Sequence, residues 1–160
     1  MTREITLRSP VSQDAPAMRQ LAENSRVLSV NSTYYYALMA RMFSDTCIVA
    51  EQKDRLCGYV TAFRPPRQTD TVFIWQIGVA EWIQGKGVGK QMLNCIIKQQ
   101  RPRFLEASIA PDNLASQNLF SSVARQWDAD HLYDEPFFTV EDLGSREGKE
   151  LLFRLGPLSH

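Results

Sequence analysis

Gln84-Gly85-Lys86-Gly87-Val88-Gly89-Lys90 constrains this chain more than any other segment. It follows the apolar run 72–79 and precedes Met92, Leu93, Ile96 and Ile97 at helical spacing, so it reads as strand, glycine turn and helix N-terminus. Three alternate glycines let the backbone approach a ligand closely and take positive φ. The first helical N–H groups and the helix dipole then point outward, which makes an anion cradle. Two phosphate fingerprints do not fit. Lys90 stands where a dinucleotide fold carries its third glycine, and a Walker loop needs Gly at 84 and Ser or Thr at 91, where this chain has Gln84 and Gln91. On residues alone, the segment is a cradle for some other anion or a plain glycine helix start.

The chain has 160 residues, 44% hydrophobic and 22% charged, which suits one compact domain spanning 1–160. Eighteen basic residues balance eighteen acidic ones and are scattered, so no field or stripe points to nucleic acid or an anionic membrane. No stretch approaches a membrane span, and Met1-Thr2-Arg3-Glu4 opens no signal-peptide core; a cytoplasmic protein is expected. Cys47, Cys57 and Cys95 each lie in an apolar pattern and are expected as buried free thiols. With His131 and the terminal His160 as the only histidines, a metal site and a Ser-His-Asp triad have little support, and no metal is expected. The run Asp128, Asp130, His131 reads as a solvated turn or strand edge.

Ile5 and Leu7 suggest a first strand, and Asp14 is placed to cap a helix over 15–23 with Met18, Leu21 and Ala22 on one face. Ser32 or Thr33 caps a second helix, whose apolar face is read as Tyr35, Leu38, Met39 and Met42, with Tyr34 and Arg41 opposite. The β-rich runs 47–50 and 56–63 form an antiparallel hairpin, and 72–79 is a central strand in which Gly78 suggests a bulge. A helix over 88–100 ends at Pro102 before a strand over 104–109, a βαβ unit with its ligand crevice at the carboxyl end of the strands. A last clear helix covers 115–123. Residues 133–141 read as a loop and 151–155 as a final strand.

The form Gln84-x-x-Gly87-x-Gly89, in this order of elements, resembles the pyrophosphate turn of the GNAT acetyltransferases. That resemblance implies an α/β (α+β) fold with a central mixed sheet of six to seven strands flanked by about four helices, and acetyl-CoA as cosubstrate. Asn113-x-x-Ser116-x-x-Leu119-Phe120 resembles the helix that runs beside the pantetheine arm in this family. The implied cofactor contacts are Gln84, Gly85, Lys86, Gly87, Val88, Gly89, Lys90, Asn113 and Phe120. Longer segments are similar to one branch, the L-2,4-diaminobutyrate acetyltransferases of ectoine synthesis. They are Val30-Asn31-Ser32-Thr33-Tyr34-Tyr35-Tyr36, Asp45-Thr46-Cys47-Ile48-Val49-Ala50-Glu51, Phe73-Ile74-Trp75-Gln76, 106–113 and Phe153-Arg154-Leu155-Gly156-Pro157. The branch implies transfer to the γ-amino group of L-2,4-diaminobutyrate in a ternary complex, and a homodimer. Two positions depart from its pattern: Ser29 stands where it usually carries Asp, and Arg146-Glu147-Gly148-Lys149-Glu150 lacks its usual His.

The reaction needs an uncharged amine nitrogen, whereas such ammonium groups have a pKa near ~10.4, so a base must take a proton. Glu106, Glu150 and Asp112 are the candidates, acting through water. Backbone N–H groups around Ile77 and Val79 are placed to hold the tetrahedral oxyanion. Relatives often protonate the leaving thiolate with a Tyr where this chain has Phe120; Tyr34, which resembles the family's substrate-side tyrosine, is the catalytic candidate to replace it. Asn31, Tyr34, Trp75, Asp112 and Glu150 are the expected substrate contacts, Trp75 through a cation–π face. Two other readings remain open: an acetyltransferase for a different small amine, and a module that binds coenzyme A without transfer.

Overall fold

A computed structural model describes residues 4–25, 27–144 and 148–160. The expectations placed on residues 1–3 and on Arg146 and Glu147 lie outside the described residues. The described strands are β1 Thr6–Arg8, β2 Ile48–Gln52, β3 Arg55–Phe63, β4 Thr71–Val79, β5 Phe104–Ile109, β6 His131–Phe138 and β7 Glu150–Leu155. They form one seven-stranded sheet in the order β1-β2-β3-β4-β5-β7-β6. The α-helices are α1 Ala15–Ser25, α2 Thr33–Met42, α3 Val88–Gln100 and α4 Leu114–Gln126. β4 and β5 run parallel from Thr71↔Phe104 to Ile74↔Ala107, whereas β1–β2, β2–β3, β5–β7 and β6–β7 are antiparallel. This is the mixed α/β arrangement the sequence led us to expect. The chain divides into two compact units, Met1–Phe63 with Trp75–Gln100, and Arg64–Ile74 with Arg101–His160.

In the first unit the β2–β3 hairpin turns on Lys53 and Asp54, both at positive φ, the backbone that a tight two-residue hairpin demands. α1 and α2 bury Ala15, Met18, Ala22 and Tyr36 against Val49 and Tyr59. The buried face of α2 is therefore Tyr36, Met39 and Ala40; Leu38 and Met42, expected there, are exposed. Three consecutive tyrosines leave the helical phase ambiguous, and packing on Tyr59 selects Tyr36. Asp14 also departs from expectation. Its carboxylate accepts the Val11 N–H at 2.8 Å and the Arg8 guanidinium at 2.8 Å, so it closes the chain before α1 instead of capping that helix. The Arg8 hydrogen bonds hold its carboxyl below the usual carboxylate range. α3 buries Val88, Met92, Leu93, Ile96 and Ile97, and Arg101 at positive φ ends the segment before Pro102.

In the second unit α4 begins at Asn113, whose side chain accepts the Ser116 N–H, and buries Phe120, Val123 and Ala124. Residues 133–138, expected as loop, are strand. β6 is the outer strand, its residues nearly all exposed, so it shows no alternation, and Pro136 is tolerated because an edge strand has one unpaired side.

Gly78, expected at a bulge, also answers a packing demand. A Cβ at position 78 would lie 2.4 Å from the Tyr59 ring, so only glycine lets that ring sit on β4. Gly78→Ala is expected to lower unfolding free energy by about 1–3 kcal/mol, the usual cost of overpacking. An unchanged urea midpoint for that variant would contradict this account of the Tyr59 seat.

Candidate active site

The glycine turn follows β4 and a short 3-10 turn, Glu81–Ile83. Gln84 Nε2 donates to the Val79 carbonyl at 3.4 Å, which ties the turn to the end of the strand. Gly85 and Gly87 lie at φ 78° and 79°, where a side chain would be strained. A Cβ at either meets nothing within 4 Å, so the backbone is open on that side. The first helical bond of α3 runs from the Gln91 N–H to the Gly87 carbonyl. The N–H groups of Val88, Gly89 and Lys90 therefore have no carbonyl four residues back within the helix, and the positive end of the dipole sits behind them. Val88 is buried and clamps the helix start, while Gln84, Lys86 and Gly87 are exposed. Open backbone, outward amides and two lysines, Lys86 and Lys90, fit a diphosphate group.

The same unit carries Ile77 and Val79, half-buried on β4, and Asn31, half-buried before α2. Tyr34, on the first turn of α2, is 74% exposed and is not a core aromatic. Trp75 is 52% exposed, with its ring 4.6 Å from that of Tyr35 and 6.2 Å from that of Phe63, so it is an open aromatic face held from behind. A groove of about 450 Å³ lies between α1 and 79–82, but Val79 is the only expected site residue that lines it. Cys47 and Cys57 are buried, whereas Cys95, expected buried, is half-buried. Burial pushes the Cys47 thiol up to about 11, which makes it a poor nucleophile at neutral pH.

In the second unit, Asp112 is exposed and Glu150, half-buried, is the first residue of β7. The structure brings both to bear on Tyr133, whose hydroxyl bonds the Ile109 carbonyl at 2.9 Å and the Ala110 carbonyl at 3.1 Å. Burial, then the charges of Glu150 and Asp112, raise the Tyr133 hydroxyl above its ordinary value. This acidic corner at the end of β5 suits an ammonium group. Glu106 is a different case. It is buried, and its Oε2 accepts from Arg154 at 2.8 Å, so one of its lone-pair sites is already spent on a cation. Phe120, expected at the cofactor, is 2% exposed and packs 5.6 Å from Phe153; it is core. Asn113 Oδ1 caps α4, which leaves only its amide N–H groups to donate to a ligand.

Several residues at these places were not singled out by the sequence. Tyr133 lay in a stretch without periodicity, and Arg154 is a charge within an otherwise apolar run. Gln76 alone left a signal, a polar residue inside an apolar strand. Its Oε1 accepts from Tyr36 at 2.8 Å and Tyr59 at 2.7 Å. Among the described residues no group of His, Cys, Asp and Glu is arranged to hold a metal ion, and no helix is long and apolar enough to cross a membrane.

The family model "Acetyltransferase (GNAT) family" matches residues 15–123. The L-2,4-diaminobutyric acid acetyltransferase of Shouchella clausii is 42% identical over 98% of this chain and 89% of its own length. That of Marinococcus halophilus is 39% identical over 97% and 91%. Among solved structures, the diaminobutyrate acetyltransferase EctA from Paenibacillus lautus, in complex with L-2,4-diaminobutyric acid and coenzyme A, superposes with a TM-score of 0.93. It is 31% identical, covering 99% of this chain and 98% of that one. On these similarities this chain belongs to the acetyltransferase (GNAT) family.

Proposed function

We propose that this protein transfers the acetyl group of acetyl-CoA to the γ-amino group of L-2,4-diaminobutyrate, forming N4-acetyl-L-2,4-diaminobutyrate by direct attack in a ternary complex. The observation that carries the reading is the open glycine turn, whose outward amides at Val88, Gly89 and Lys90 suit the diphosphate of coenzyme A. The choice of amine is supported by near full-length similarity to proteins named for that activity.

Acetyl-CoA supplies a thioester, an acyl group already activated toward amines. The protein's residues do the rest. Asp112 and Glu150, grouped about Tyr133, attract the ammonium groups of the substrate, and one of them accepts the proton lost from the attacking nitrogen. Backbone N–H groups near Ile77 and Val79 stabilise the oxyanion as the nitrogen–carbon bond forms. The carbon–sulfur bond then breaks. Phe120 has no proton to donate, and a thiol of ordinary pKa near ~8.5 leaves as thiolate without one. The exposed face of Trp75 packs on the ammonium-bearing chain. The same resemblance supports a homodimer working in the cytoplasm, where the three cysteines stay reduced.

Incubation with acetyl-CoA and a panel of amines, with NMR of the product, tests the assignment. Diaminobutyrate is expected to be acetylated at its γ-nitrogen well ahead of ornithine, lysine and spermidine; preference for any of those would assign the protein to a different amine. Gly87→Glu, which adds bulk and negative charge at positive φ, is expected to weaken acetyl-CoA binding by at least about a hundredfold in calorimetry. Unchanged affinity would contradict the cradle. Trp75→Ala is expected to raise KM for the amine about tenfold and leave KM for acetyl-CoA nearly unchanged. Equal effects on both would mean that the ring is packing alone.

A further inference from the structure

Gln76 is 8% exposed in the middle of β4, and every polar atom of its side chain faces a partner from a different element. Oε1 accepts the hydroxyl of Tyr36 on α2 at 2.8 Å and that of Tyr59 on β3 at 2.7 Å. Nε2 donates to the backbone carbonyl of Ser29, in the connection from α1 to α2, at 2.7 Å. Chemistry fixes this orientation of the amide. A flipped Gln76 would set Oε1 against the Ser29 carbonyl, two acceptors with no proton between them. Tyr36 and Tyr59 are fully buried and pack edge to face with ring centroids 5.7 Å apart, so neither can swing away from the shared oxygen.

The connection that Gln76 holds is also anchored by Leu28, which packs against the core before Ser29 is reached. On one side, Ser25 Oγ accepts the Leu28 N–H at 3.0 Å; on the other, Ser32 Oγ caps α2 through the Tyr35 N–H at 3.1 Å. Between these two clips lie Ser29, Val30 and Asn31, and the bond from Gln76 ties that stretch to the sheet. Gln76 follows Trp75 in the chain, and Asn31 comes two residues after Ser29. One buried amide thereby sets the spacing between the exposed indole and the loop that carries Asn31 and leads into Tyr34.

We infer that Gln76 is a positioning residue for the acceptor amine, tethering the α1–α2 connection through the Ser29 carbonyl so that Asn31 and Tyr34 are held in register with Trp75. The inference rests on the proposed amine site. It also explains how a backbone group can matter at position 29, where the Ser side chain departs from the branch pattern.

The test compares two neutral variants. Gln76→Met fills the same volume and loses all three bonds. The double variant Tyr36→Phe and Tyr59→Phe loses the two hydroxyl bonds and keeps the tether. Gln76→Met is expected to raise KM for the amine about tenfold with KM for acetyl-CoA within about twofold, while the double variant keeps both within about threefold. Equal rises in both constants, or an equal rise for the amine in both variants, would overturn the positioning role. Hydrogen exchange gives a readout that needs no turnover. The Val30 and Asn31 amides are expected to exchange at least about tenfold faster in Gln76→Met than in wild type or the double variant. Unchanged exchange would show that the tether does not exist. Faster exchange in a protein that acetylates no amine would instead sink the functional reading and leave the tether standing.

Discussion

A backbone in the left-handed region at Gly85 and Gly87 is the constraint on which the chemistry depends. A turn of this shape delivers the chain from the end of β4 into α3 with the first amides of the helix facing outward. A side chain at either glycine would cost about 1–2 kcal/mol in backbone strain alone. The helix itself is secured from behind. Val88, Met92, Leu93, Ile96 and Ile97 are buried, so the amides at its start are held by packing and do not have to be ordered when a ligand arrives. Anion binding at such a site costs little reorganisation, and its strength comes from dipole, amide donors and nearby lysines together.

A second level of order concerns the acceptor side. Buried aromatic hydroxyls are expensive to leave unsatisfied, and the first unit solves this by placing one glutamine where two tyrosines meet. The same glutamine binds a loop carbonyl, so satisfaction of the core and placement of a surface loop become one problem with one solution. Gly78 belongs to that solution, since any Cβ there would displace the Tyr59 ring. Thr61 extends the pattern: it bonds the Tyr35 hydroxyl at 2.9 Å, and Tyr35 in turn supports the Trp75 ring. The exposed indole is thus backed by a polar network within the aromatic packing.

Periodicity and turn chemistry carried most of the architecture. The hairpin at Lys53-Asp54, the long helix α3 and the strands either side of it could be read because each is a periodic or continuous apolar run bounded by turn residues. β6 could not. An edge strand with most residues exposed has no alternation to display, and its Pro136 argues against strand on local grounds. The phase of α2 was hidden by three adjacent tyrosines, any of which suits a buried face. For the site, the glycine spacing was legible because it encodes backbone shape. The roles of Gln76, Tyr133 and Arg154 were not, since each depends on a partner 20 or more residues away that no local pattern names. Glu106 shows the converse. Its carboxylate stands out in an apolar strand, but the guanidinium paired with it cannot be read from that strand.

The most direct measurement is a titration of isotope-labelled protein with coenzyme A, following the backbone amides by NMR. If the account is right, Val88, Gly89 and Lys90 shift together and saturate at one affinity, and pantetheine, which lacks the diphosphate, leaves them unmoved. Coenzyme A binding with those three amides undisturbed, or equal shifts from pantetheine, would contradict it.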